Sequence, residues 1–227
     1  MISVIIPTLN EKKNILKIGD ELSKLKIVSE VIFIDDRSTD GTFNEIKKLT
    51  INKKFKGFSR RNKTRDLSQS VIYGIKRTKQ KNILVMDCDL QHDTKDISNM
   101  WKIFKDTNAD IVVGSRFMRK KFSGNLGFLR SIFSNLAIFF INFVFGKKSS
   151  DPLSGFFLCK KEHISKHENL FFAKGYKILF DILYNGNRNL NVKDLSILFK
   201  KRNLEKSKFN LRIIWIFLRQ IFYTKFL

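Results

Sequence analysis

Val31-Ile-Phe-Ile-Asp-Asp-Arg-Ser-Thr-Asp-Gly-Thr42 and Val85-Met-Asp-Cys-Asp-Leu-Gln91 decide how this chain is read. In each, an apolar run ends abruptly in closely spaced carboxylates. Continuous apolar runs bounded by turn residues suit strands buried on both faces, as in a parallel sheet. Like charges as close as those of Asp87 and Asp89 resist ionisation unless a cation balances them. A hard divalent ion with oxygen ligands does so, and Mg²⁺ also bridges to substrate phosphates. Gln91 can add a neutral oxygen. An ordinary acidic turn, with Cys88 as filler, accounts for the same residues locally. In the first stretch Asp40-Gly41 predicts a turn, and Thr39 or Asp40 a cap for the next helix. Asp36 at the strand tip is then free to accept hydrogen bonds from a ribose or base. A third stretch, Ile5-Ile-Pro-Thr-Leu-Asn-Glu11, predicts a strand ending at Pro7, an Asn10 cap and a polar loop suited to a nucleotide pocket.

Around these stretches, strand and helix patterns alternate. Strands are predicted at Ile2–Ile6, Val31–Asp35, Gly57–Ser59, Asn82–Met86 and Asp110–Gly114. Helices are predicted between them at Glu11–Leu25, Asp40–Leu49, Asp66–Thr78 and Thr94–Asp106. This order implies a mostly parallel sheet with helices on both faces. Ligands then bind beyond the carboxyl ends of the strands, where the three loops lie. The second half is less regular. It has a Phe/Ile-rich segment at Phe128–Gly146, strands at Ser154–Cys159 and Val192–Phe199, and helices at Tyr176–Tyr184 and Leu211–Phe226.

The chain has 227 residues and a formal charge of +23, from 44 basic and 21 acidic residues. With 43% hydrophobic residues it can bury a substantial core, which excludes wholesale disorder. Residues 1–50 are electrically neutral, so the basic excess lies downstream. That excess points to an anionic partner or simply to a solvated surface. A nucleic-acid partner accounts for the Lys and Arg but not for carboxylate pairs at strand ends, which repel phosphates. The two cysteines, Cys88 and Cys159, form no disulfide framework, and no Cys/His cluster has zinc spacing. The N-terminus shows no signal-peptide pattern, and the strictly apolar runs are short for a spanning helix. The expectation is a cytoplasmic chain.

In this order the motifs resemble the nucleotide-sugar transferases of glycosyltransferase family 2, and within it the polyprenol-phosphate sugar synthases. The resemblance runs from Ile2 to about Asn210. It is carried by Pro7-Thr-Leu-Asn-Glu11, Asp35-Asp-Arg-Ser-Thr-Asp-Gly-Thr42, Arg65-Asp-Leu-Ser68 and Met86-Asp-Cys-Asp-Leu-Gln-His92. Further on come Gly114-Ser-Arg116, Asp151-x-x-Ser-Gly-Phe156, Gly175-Tyr176, Arg202 and Ser207-Lys208.

The resemblance implies a GT-A fold, a Rossmann-like three-layer α/β/α arrangement over residues 1–210, with 211–227 an amphipathic helix of the same unit. It implies an inverting hexosyltransferase that moves a mannose- or glucose-like sugar from a nucleotide-sugar donor to polyprenyl phosphate. It places Pro7, Leu9, Glu11, Ile34, Asp36, Asp87 and Cys88 around the donor. Asp87, Asp89 and Gln91 would hold Mg²⁺ or Mn²⁺. Asp89, Arg116, Arg202 and Lys208 would carry the transfer, the cations beside phosphates. A lipid monophosphate already carries its nucleophilic oxygen, so no protein base is needed; a sugar hydroxyl acceptor requires one, with Asp151 the nearest candidate.

A lipid acceptor requires a route to a bilayer. Phe128–Phe145 and Leu211–Phe226, the latter with Arg212, Arg219 and Lys225, suit interfacial helices on an anionic membrane surface, and equally suit helices covering the sheet. The expectation is peripheral attachment to a cytoplasmic membrane face, directly or through an unknown membrane-protein partner. Five positions depart from the family pattern: Phe157 for an expected Arg, Asp194 for Glu, Ser196 for Pro, Glu205 for Gly and Leu9 for a frequent Tyr. The Gly-rich opening of sugar-phosphate nucleotidyltransferases, which share the architecture, is absent.

Overall fold

The computed structural model describes residues 1–61, 63–117, 128–187, 189–198 and 211–226. Its first half is a run of parallel strands and crossover helices. These are β1 (Ile2–Thr8), α1 (Lys12–Ser23), β2 (Val28–Asp35), α2 (Thr42–Leu49), β3 (Phe55–Ser59), α3 (Leu67–Ile75), β4 (Asn82–Val85), α4 (Lys95–Asp106) and β5 (Ile111–Ser115). The second half adds α5 (Phe128–Phe145), β6 (Phe157–Lys160), α6 (Glu162–Ser165), α7 (Ile178–Tyr184), β7 (Val192–Ser196) and α8 (Leu211–Lys225). The strands form one seven-stranded sheet in the order β3-β2-β1-β4-β6-β5-β7. All pairs are parallel except those made by β6, which runs antiparallel between β4 and β5.

The apolar strands bury both faces, as their continuous patterning requires. One face packs Val4, Ile6, Phe33 and Leu84 under α1, α2 and α4, and the other packs Ile5, Ile34, Val85 and Phe157 under α3 and α7. Helix α3 lies close because Gly74 faces Ile5, where an added Cβ would stand 2.6 Å from Cγ2.

Two differences from the sequence reading bear on the site. Strand β1 runs past Pro7 to Thr8, because its pairing with β4 ends at Ile5 opposite Val85. Beyond that point the proline's missing N–H breaks no ladder on the β4 side. Strand β6 begins at Phe157 rather than Ser154, because Ser154 Oγ donates to the Gly114 carbonyl at 2.8 Å and accepts from Phe156 N at 3.1 Å. Those bonds hold residues 151–156 as a loop over the strand ends.

Helices α5 and α8 stand apart from the sheet. Ile138 and Ile141 of α5 and Ile221 of α8 pack with Leu153 and Phe180 in a third, smaller cluster. Their other faces are open, with Phe139 72%, Phe143 82%, Trp215 63% and Phe222 66% exposed. Each helix thus buries one face in this cluster rather than on the sheet and leaves the other exposed. Among the described residues, no helix is long and apolar enough to cross a membrane.

Candidate active site

The loops after β1 and β2 are laced together by side chains. Asn10 N donates to Ser38 Oγ at 2.9 Å, and Thr39 N donates to Asn10 Oδ1 at 2.9 Å. Glu11 N donates to Thr42 Oγ1 at 2.8 Å, and Lys12 N to Asp40 Oδ2 at 3.1 Å. Thus the opening N–H groups of α1 are capped from the neighbouring loop, and Asn10 is not the cap the sequence suggested. Asp40 serves its own helix as well, accepting from Thr42 N at 2.9 Å. The Ser-Thr-Asp-Gly-Thr run is therefore architecture that fixes the rim of the site.

Asp36 is less free than the sequence suggested. Its Oδ1 accepts from Arg60 Nη1 at 2.9 Å and its Oδ2 from Asp66 N at 2.6 Å. The same buried guanidinium nitrogen also reaches the Asp66 carbonyl and Ser70 Oγ, each at 2.8 Å. Burial raises the Asp36 carboxyl above its usual range, against the Asp66 N–H and Arg60, which lower it. Each carboxylate oxygen has a second lone pair, so Asp36 can still accept from a ligand, now as a rigidly aimed group. Arg60 was invisible in the sequence because it sits beside Arg61 at a strand end, like any surface cation.

A cavity of about 500 Å³ opens at the carboxyl ends of β1, β2 and β4. It brings together Pro7, Leu9, Glu11, Asp36, Asp87, Cys88, Asp89, Gln91 and Arg116. Ile34 is not among its lining residues and is fully buried in the core on the α3 side. Arg202, Lys208 and Glu205 lie outside the described residues.

Asp87 stands on the cavity floor. Burial pushes its carboxyl up to about 7, and Asp89 and Glu11 push the same way against Lys177 and Arg116. Gly155 is pressed against it, since a Cβ there would lie 2.8 Å from Asp87 Oδ2. His92 stacks on Phe156 with ring centroids 4.6 Å apart and places Nε2 4.0 Å from Asp87 Oδ2. Burial and the charge of Arg116 push His92 down to about 3, so it faces Asp87 as a neutral ring.

This donor set fits a hard divalent cation, whose charge would favour the ionised form of Asp87. No group of three or more His, Cys, Asp or Glu side chains among the described residues is placed to hold a metal. Two carboxylates with Gln91 would leave coordination positions for substrate oxygens, the usual arrangement for Mg²⁺ beside phosphates.

Arg116 is aimed by a relay that the motifs only partly revealed. Asp151 is fully buried and grips the guanidinium with a fork, Nε to Oδ2 at 2.7 Å and Nη2 to Oδ1 at 2.9 Å. Asp194 on β7 accepts from Ser149 Oγ at 2.6 Å and Ser150 N at 2.7 Å, which fixes the segment that delivers Asp151. The Asp at 194 therefore has a local purpose. Phe157, where the family pattern has Arg, is fully buried in β6.

The cavity continues from this polar floor to an apolar wall. Leu136, Ala137 and Phe140 of α5 line it with Leu153, Ile178 and, from α8, Ile214, Phe217, Leu218 and Ile221.

The sequence profile described as Glycosyl transferase family 2 matches residues 3–168. A dolichol-phosphate mannosyltransferase of Pyrococcus furiosus is 33% identical over 97% of this chain; the chain spans 62% of that relative's length. A protein of the same name from Mycosarcoma maydis is 24% identical over 96% of the chain and 77% of its own length. Among solved structures, glucosyl-3-phosphoglycerate synthase of Mycobacterium tuberculosis superposes with a TM-score of 0.74 at 20% identity, covering 99% of this chain and 78% of that one. A second structure of that enzyme, in complex with Mn²⁺ and UDP-glucose, also gives 0.74. The superposition shows the GT-A fold expected from the sequence, and the profile shows the family: the chain belongs to glycosyl transferase family 2.

Proposed function

We propose that this protein is an inverting, metal-dependent hexosyltransferase that moves a mannose- or glucose-like sugar from a nucleotide sugar to a polyprenyl phosphate. The observation that carries the reading is the single cavity with an acidic floor and an apolar wall built by α5 and α8. The floor suits a nucleoside diphosphate held through a divalent cation, and the wall suits an acceptor with a hydrocarbon chain. The names of the Pyrococcus and Mycosarcoma relatives, and the Mn²⁺ and UDP-glucose bound by the Mycobacterium synthase, support the same chemistry.

In this reading Pro7, Leu9, Glu11, Asp36, Asp87 and Cys88 line the nucleoside and diphosphate positions. Ile34 acts through the core beneath them. Asp87 and Asp89, with Gln91, hold Mg²⁺ or Mn²⁺. Such an ion would supply positive charge to offset that of the diphosphate. Arg116 is held by Asp151 to meet phosphate charge, and Arg202 and Lys208 complete the cationic set. The acceptor phosphate oxygen attacks the anomeric carbon as the sugar–diphosphate C–O bond breaks. The electron pair leaves with the nucleoside diphosphate, and an α-linked donor gives a β-linked product. Catalysis is alignment and charge neutralisation, with no proton to remove. Asp151 is poorly suited to serve as a base for a sugar-hydroxyl acceptor, because it is fully buried and committed to Arg116.

The exposed aromatic faces of α5 and α8 suit contact with an anionic membrane surface at a cytoplasmic face, directly or through a membrane protein. Residues 1–210 and the last helix then act as one unit. The test offers purified protein a panel of nucleotide sugars with polyprenyl phosphate, Mg²⁺ or Mn²⁺, and anionic vesicles. Radiolabel should enter the organic phase, and EDTA should stop it. Label moving only to a water-soluble glycan, or a salt-sensitive DNA shift without sugar transfer, would overturn the reading.

A further inference from the structure

We propose that Lys177 is the cation that receives the phosphate of the apolar acceptor. This deepens the reading above and rests on it. No motif in the sequence singled this lysine out, and it differs from its neighbours by position alone.

Lys177 lines the cavity together with Asp87 and Arg116 of its polar floor and Leu153, Ile178 and Ile221 of its apolar wall. Its Nζ donates to the Leu153 carbonyl at 3.0 Å. The Leu153 side chain meanwhile packs in the small apolar cluster with Ile138, Ile141, Phe180 and Ile221. The ammonium is thus tied to the residue where the apolar wall begins. It also shares the cavity with Asp87 and Asp89 of the acidic floor.

The backbone here is held from both sides. Gly175 N donates to Asp66 Oδ2 at 2.7 Å, and Ser68 N donates to the Gly175 carbonyl at 2.9 Å, which pins the segment to the start of α3. From the opposite side Gln220 Nε2 of α8 donates to the Lys177 carbonyl at 3.1 Å. Lys177 therefore stands between the donor wall and the last helix, fixed to each.

An acceptor of this class has an anionic head and an apolar tail. Its tail belongs against α5 and α8, and its head must lie beside a donor that is itself anionic. A cation in the same cavity lowers the repulsion between the two and sets the head at the distance for attack. The charge of Arg116 is matched by Asp151, whereas Lys177 is held by a neutral carbonyl, so its ammonium adds positive charge where the apolar wall begins.

The experiment uses the full chain with farnesyl phosphate and farnesol as paired probes, in the presence of Mg²⁺. Wild-type protein should bind the phosphate at least about tenfold more tightly than the alcohol, and Lys177→Met should bind the two alike. Lys177→Arg should keep most of the preference, and exposed Lys174→Met should behave as wild type. In turnover, Lys177→Met should raise KM for polyprenyl phosphate about tenfold and leave KM for the nucleotide sugar within about twofold. An unchanged preference in Lys177→Met, or no preference in the wild type, overturns the proposal. So does a selective rise in donor KM or in the metal requirement, which marks a lysine that only balances Asp87. If wild type prefers the phosphate yet no donor supports transfer, the transferase reading fails and the lipid-phosphate site at Lys177 stands.

Discussion

The two ends of the sheet each hold a carboxylate, and they treat it in opposite ways. At the amino end Glu30 accepts from the Ser3 and Thr78 hydroxyls, from Lys79 N at 3.2 Å and from Lys56 Nζ at 2.6 Å. Burial alone would raise its carboxyl, yet the bonds from Lys56, Ser3 and Thr78 hold it below the usual range. At the carboxyl end Asp87 stands half-buried in the cavity with Asp89, and its carboxyl rises to about 7. A carboxylate that serves the fold brings its partners with it. One that serves a ligand is left with excess negative charge, which a cation can relieve.

That contrast is open to attack at several points. The largest effect is expected at Asp89→Asn. Transfer should fall by roughly three orders of magnitude, while the melting temperature holds or rises because a like charge beside Asp87 is gone. Steady-state rates and a thermal melt of the same sample check both halves. Full turnover at limiting Mg²⁺ would end the metal assignment.

Asp181 is the intermediate case, a fully buried carboxylate that accepts from Ala173 N at 2.9 Å and Asn185 Nδ2 at 3.0 Å. Burial outweighs those bonds and pushes it up to about 6 from an ordinary 3.8. The folded chain therefore keeps a proton that the unfolded chain has already released. Stability from this group is full below about pH 4 and declines as pH rises through 6, by up to about 3 kcal/mol. Urea unfolding of wild type and Asp181→Asn across that window should show the slope in the first and a flatter profile in the second.

Glu30→Ala should do the reverse of Asp89→Asn. Losing the acceptor for two buried hydroxyls and Lys56 should cost about 2 kcal/mol of stability, with the specific activity of the folded fraction unchanged. The smallest effect is expected at Gly155→Ala. The new methyl would push against the end of the Asp87 side chain, which can yield, so the Mn²⁺ concentration for half-maximal rate should rise about tenfold with little change in stability. An unchanged metal requirement would mean that Asp87 does not need its present position.

A second contrast runs between the halves of the chain. The loops after β1 and β2 are specified almost residue by residue, because Asn10, Glu11, Lys12, Ser38, Thr39, Asp40 and Thr42 bond to one another across them. Such loops leave motifs, and Pro7, Glu11, Asp87, Asp89, Gln91 and Arg116 were all legible before any coordinates. Arg60 and Lys177 were not, since a cation at a strand or helix end looks like any surface charge. Only burial or a shared cavity separates them. The Asn10 cap failed for a related reason: capping strength is a local property, and here the caps of α1 come from the loop after β2.

The sequence by itself determined the parallel α/β arrangement, since apolar runs buried on both faces alternate with helical periodicity, and it located the acidic pair at the strand ends. It also marked two apolar segments in the second half of the chain, Phe128–Phe145 and Leu211–Phe226, the latter carrying Arg212, Arg219 and Lys225. Tertiary structure alone decided that β6 enters antiparallel between β4 and β5, that Asp151 grips Arg116, and that α5 and α8 wall the same cavity as the acidic floor. The physical reason is range. Periodicity and turn chemistry act over a few residues, whereas a binding site is a balance of charge and apolar surface among residues far apart in the chain.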